Sequence, residues 1–209
     1  MSSESNGYGL QVIEPPDELP LSLAETKIHL RVTHDDEDTL IESLIAAAVE
    51  RFQRETRIQL ITAELAMILD GLPRGVQPLE LPRYPLITVD EISYTDQAGE
   101  TVVWGITEYV VTNTRQPGMI RPAYRRTWPS TRREPDAVRI EFTAGYGGAC
   151  DVPALAKSAL LLIVGSLYEY REDMGDRHAY PLPIGAQRIM QLYDVGDEFT
   201  EYGNILHGV

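Results

Sequence analysis

Apolar positions recur with two different periods along this chain, and the change between them falls near Leu60. Before it, Leu40, Ile41, Leu44, Ile45, Ala48, Val49 and Phe52 return every three or four residues, opposite Glu42, Glu50, Arg51, Arg54 and Arg57. That spacing predicts an amphipathic helix over 37–57. The capping box Ser22, Leu23, Ala24, Glu25 predicts a shorter helix over 22–31, with Leu23, Ile28 and Leu30 as its apolar contacts. Between the two, Asp35, Asp36, Glu37 and Asp38 follow His34 and would supply a cap and favourable charge at the positive end of the second helix. After Leu60 the texture turns to short alternating runs broken by proline and glycine: 65–69, 79–81, 86–94, 101–104, 109–112 and 137–143. With a hairpin turn at Asp96, Gln97, Ala98, Gly99, these runs predict a meander-like antiparallel β region over 60–145.

The pattern changes again through AVRIEFTAGYGGACDVPALAKSALLLIVGSLYEYRE, residues 137–172. A strand through Val138, Ile140 and Phe142 breaks at Gly145, Gly147 and Gly148, and a helix over 153–172 starts at Pro153, where a first turn accepts proline. That helix carries leucine, isoleucine, valine and alanine on nearly every side, interrupted by Lys157, Ser158, Gly165 and Ser166. A helix apolar all round needs cover all round, which points to contact with other subunits. Residues 1–20 read as a flexible serine-, glycine- and proline-rich arm, 21–172 as the main domain, and 173–209 as a tail with apolar positions Ile184, Ile189, Met190, Leu192 and Tyr193. The fold class is α+β: a helical core of two N-terminal helices and one apolar C-terminal helix, an inserted antiparallel β region and an extended tail.

A chain of 209 residues has room for a real core. A single cysteine, Cys150, and no basic or apolar leader lead to the expectation of a reducing cytoplasm before assembly. The net charge of −14 opposes general binding to polyanions, while suiting a conduit whose wall must not hold phosphates.

The order of these elements, LSLAETKIHLRVTHDDEDTLIESLIAAAVERFQRETR, then a variable β region, then VRIEFTAGYGGACDVPALAKSALLLIVGSLYEYRE, resembles the head-tail connector (adaptor) family of tailed bacteriophages and gene transfer agents. The resemblance runs from Leu21 to about Tyr193, and none of its specific segments is catalytic. It implies a structural protein without enzymatic activity or cofactor, forming a ring, expected to be dodecameric, in the virion neck below a portal protein. Such a ring would receive a stopper or tail-terminator protein and line the DNA exit channel without specific DNA binding or membrane contact.

The candidate side chains fall into several sets under that reading. Subunit contact is expected of Leu40, Leu44, Val49, Phe52, Leu160, Val164 and Leu167, and of a basic concentration formed by Arg121, Arg125, Arg126, Arg132 and Arg133 with Trp128. The tail residues Ile184, Ile189, Met190, Leu192 and Tyr193 either cover the chain's own surface or reach the portal. His29, His34 and the acidic run would be the ligands of the competing reading, a small metal-dependent hydrolase, but their spacing matches no metal signature. The turn at Gly145 to Gly148 lacks the lysine and hydroxyl of a phosphate-binding loop. A generic oligomeric interaction module is the third reading.

Overall fold

The computed structural model describes residues 8–170 and 182–193, and it divides the chain into two compact units: residues 1–17 with 61–146, and 18–60 with 147–209. The first is the β unit. Its strands are β1 (Gly9–Glu14), β2 (Ala63–Leu69), β3 (Leu79–Glu80), β4 (Leu86–Thr95), β5 (Thr101–Val103), β6 (Tyr109–Thr112), β7 (Met119–Pro122) and β8 (Val138–Ala144). They form a five-stranded sheet ordered β1-β2-β8-β4-β5 and a three-stranded sheet ordered β3-β7-β6, with every pair antiparallel.

The order corrects the expected meander. β8, last in sequence, lies between β2 and β4. It alternates strictly, with Val138, Ile140, Phe142 and Ala144 buried, so a central place flanked by two strands hides its apolar face best. Those side chains join Leu65, Met67 and Ile92 and, from the smaller sheet, Ile120 in one apolar cluster. Within that cluster Trp104 stacks on Tyr109 at 5.3 Å between ring centroids and tilts against Trp128 at 5.0 Å. Burying a side chain such as Phe142 contributes about 1.5–3 kcal/mol. The β4–β5 hairpin closes as predicted, with Gly99 at φ 90° and the Asp96 carboxylate accepting from the Ala98 and Glu100 amides.

β1 lies in the segment expected to be a flexible arm. It pairs with β2 while exposing nearly every side chain, since an edge strand needs one partner and little burial. β7 is also absent from the alternating runs, being four residues long and ending in proline.

The second unit is helical: α1 (Leu23–Leu30), α2 (Asp38–Thr56), α3 (Ala154–Glu169) and α4 (Ile184–Tyr193). Ser22 caps α1, its hydroxyl accepting from the Glu25 amide at 3.1 Å, and Arg31 ends the helix in the left-handed region. Ile28, expected as an apolar contact, is 79% exposed. Thr26 is buried in its place, because its hydroxyl donates to the Ser22 carbonyl at 2.9 Å and so leaves no polar group unmet. α2 buries Ile41, Ile45, Ala48 and Phe52, and α3 buries Ala156, Ala159, Leu160, Ile163 and Val164. α4 packs against both, burying Ala186 and Met190 and placing Tyr193 edge-on to Phe52 at 5.8 Å.

Candidate functional site

The acidic run between α1 and α2 is engaged in structural contacts. Lys27 Nζ reaches Asp35 and Asp38, each at 2.6 Å, tying α1 to the start of α2. The hydrogen bond to Asp35, then that to Asp38, raises the Lys27 pKa above its ordinary value, and the same contact with Lys27 lowers that of Asp35. Glu37 stands at the N-cap of α2 without capping it, and its carboxylate accepts from the Tyr168 hydroxyl of α3. The cap expected of the acidic run is thus replaced by bridging. Among the described residues no three histidine, cysteine, aspartate or glutamate side chains gather in an arrangement that could hold a metal ion.

The glycine turn is likewise structural. Gly145 has φ 136°, and a Cβ there would stand 2.5 Å from the Thr62 Cα, so no other residue fits without moving the backbone. The amides that follow are satisfied by carboxylates: Gly148 donates to Asp151 at 3.0 Å and Ala149 to Glu18 at 2.7 Å. A bound phosphate would meet two negative side chains.

The residues expected at subunit contacts fall into two groups. Phe52, Leu160 and Val164 are wholly enclosed in the helical unit and Trp128 is buried in the β unit, so these four serve the chain's own core and have no surface to share. Leu40 is exposed, and Leu44, Val49 and Leu167 are half-buried. Sequence spacing does not distinguish Leu155 and Leu162, which α3 exposes although its periodicity is apolar on every side. In the tail, Met190 is buried, Ile189 and Tyr193 are half-buried, and Ile184 and Leu192 point outward at 70% and 75% exposure. Burial raises the Tyr193 phenol pKa, as it does that of Tyr109 in the β unit. Ile184 also borders an open groove of roughly 820 Å³ lined by His29, Leu162, Gly165, Tyr170 and Gln187.

The five arginines are all exposed. Arg126 pairs with Glu108 at 3.2 Å and Arg132 with Glu134 at 3.3 Å, while Arg121, Arg125 and Arg133 make no ion pair with a described residue. Trp128 anchors their loop, its indole N–H donating to the Gln77 carbonyl at 2.8 Å.

Residues 20–100 match the model of the phage gp6-like head-tail connector protein family. Solved structures extend the likeness beyond that segment. The neck of an empty gene transfer agent particle, computed with C6 symmetry, contains a chain 23% identical at a TM-score of 0.70, the match covering 88% of this chain and 94% of that one. The neck of the native particle, computed with C12 symmetry, matches over the same shares at 23% identity and 0.69. The virion of the native particle does so at 23% and 0.68. No curated protein matches. The turn from Thr143 to Gly147 and the apolar helix α3 lie outside residues 20–100, so there the likeness is one of fold. This chain therefore carries the head-tail connector pattern over residues 20–100, where the resemblance drawn from its sequence is borne out, and shares with chains in the necks of gene transfer agent particles an α+β fold that extends beyond that segment.

Proposed function

We propose that the chain is a structural head-tail connector whose copies close a ring below the portal of a phage-like particle. One face of the ring meets the portal, the other receives a stopper or tail-terminator protein, and DNA passes through the middle. The observation that carries this reading is the connector match over residues 20–100 on a fold whose counterparts stand in particle necks computed with C6 and C12 symmetry. A ring of twelve copies is the reading that the C12 computation of one such neck supports. The work done is geometric, with no catalysis and no cofactor. Side chains left outward by the fold, Leu40, Leu155 and Leu162 with the half-buried Leu44, Val49 and Leu167, supply lateral apolar contact. Ile184 and Leu192 are the portal-facing part of α4. The net charge of −14 keeps passing DNA from adhering to the wall.

Native mass spectrometry of the chain mixed with its portal protein tests this reading. A complex carrying a full ring of this chain is expected, and the Ile184→Asp, Leu192→Asp double variant should stay folded and fail to join it. Absence of any complex between portal and wild-type chain would contradict the proposal.

A further inference from the structure

Resting on the ring reading, we propose that neighbouring copies are joined head to tail by electrostatics, the arginine loop of one β unit seated on the carboxylate face of the next. The five-stranded sheet turns one face into its core. On its other face the register sets Glu91 directly opposite Glu141 and Glu64 opposite Glu14, like-charge pairs that weaken a sheet standing alone. Asp90 reaches the same face, its carboxylate accepting from the Thr143 hydroxyl at 2.9 Å. Arg139 also lies there, already shared between Glu141 at 2.8 Å and Gln11 at 3.0 Å. Glu64, Asp90 and Glu91 remain exposed, so the face keeps an excess of negative charge.

The complementary surface is on the same unit. Arg121, Arg125 and Arg133 present guanidiniums with no described ion partner, and Arg125 lies over the ring of Tyr124, itself 87% exposed, at 5.2 Å. Arg121 stands on β7, and the loop that carries Arg125 and Arg133 is held in shape. Trp128 is buried and bonded to Gln77, the Thr131 carbonyl accepts from the Gln97 side chain at 2.6 Å, and the Arg132 amide donates to the Thr95 carbonyl at 2.9 Å. Cations on a fixed base lose little freedom on pairing, and a guanidinium meets a carboxylate through two parallel hydrogen bonds. Two different surfaces that fit each other make a heterologous contact, which closes into a ring when the rotation permits. Nucleic acid is the rival occupant of the loop, and the acidic excess carried by every copy opposes it.

Sedimentation velocity on two charge-reversed variants, Arg125→Glu with Arg133→Glu and Glu64→Lys with Glu91→Lys, separates the outcomes. Each variant alone should self-associate at least roughly tenfold more weakly than wild type, because like charges then face each other. A one-to-one mixture should recover wild-type association, since alternating copies restore opposite charge at both kinds of junction. Variants that associate as wild type does, or a mixture that recovers nothing, would overturn the proposal and leave the ring reading standing. A wild-type chain that associates neither alone nor on the portal would overturn both. Labelled duplex DNA bound by wild type and lost in the arginine variant would assign the loop to nucleic acid and also overturn the proposal.

Discussion

The helical unit and the β unit both leave apolar side chains outward, but only the β unit adds a concentration of arginines and a carboxylate-rich sheet face. In the helical unit the apolar excess of α2, α3 and α4 is divided: Phe52, Leu160 and Val164 vanish into the interior, while Leu155, Leu162, Ile184 and Leu192 stay outward. In the β unit one apolar cluster draws on both sheets, Val76, Val103 and Ile106 stay outward, and the surface also carries two charged regions, arginines on and beside one loop and glutamates on one sheet face. In the proposed ring, the outward leucines of the helical unit join copies by burial and the arginine loop of the β unit orients them by charge. The first kind of contact is nearly indifferent to salt, whereas exposed charges lose their reach beyond about 8 Å at physiological ionic strength.

The largest expected effect that sharpens this comparison is at Phe52. Replacing it with alanine removes a fully enclosed ring and the edge of Tyr193, which should cost about 3–5 kcal/mol in denaturant melts. Hydrogen exchange should quicken across α2 and α4 and leave β8 protected. Equal loosening of β8 would break the division between units. Gly145→Ala comes next, because a methyl group at φ 136° would run into the Thr62 backbone; about 1–3 kcal/mol of strain is expected, read as a lowered melting temperature.

Phe52 and Gly145 both sit in segments whose local structure is legible in the amino-acid sequence alone. The strand, glycine break and helix around Gly145 stand out because alternation, positive-φ residues and a first-turn proline are local signals. The capping box at Ser22 and the stripe of α2 are legible for the same reason. The place of β8 between β2 and β4 is hidden, since pairing between strands distant in sequence leaves no local mark. So is the division of apolar residues into core and surface. Val164 and Leu162 are equally apolar and two positions apart on α3, and only the packing of α2 and α4 against that helix decides which is enclosed. Trp128 misleads for a related reason: amid arginines it reads as a contact aromatic, yet its indole finds the Gln77 carbonyl inside the unit.

A smaller effect follows there. Trp128→Phe keeps a ring in the cluster but strands the Gln77 carbonyl, costing about 1–2 kcal/mol, whereas Arg125→Ala on the same loop should leave thermal stability within about 0.5 kcal/mol of wild type. A loop that melts equally in both variants would contradict its division into anchor and surface. The smallest effect is the pH response of the Lys27 bridge. Asp35 has a lowered pKa, so its contribution is complete above the ordinary carboxylate range and is lost as the solution is acidified through the folded value. Lys27 has a raised pKa, so its share is complete below the ordinary lysine value and is lost as pH climbs through the folded one. Lys27→Met should therefore flatten the acid and alkaline edges of the melting-temperature profile, and an unchanged profile would mean that the bridge adds nothing to stability.

Whether the surfaces left over by each unit are shared among copies around a hole is decided by a reconstruction of an assembled neck containing this chain. The expected result is a closed ring in which Leu155 and Leu162 of each copy are covered by the next. A neck in which the copies of this chain form no closed ring would contradict the ring, and a ring in which those side chains face open solvent all the way round would contradict the shared apolar contact.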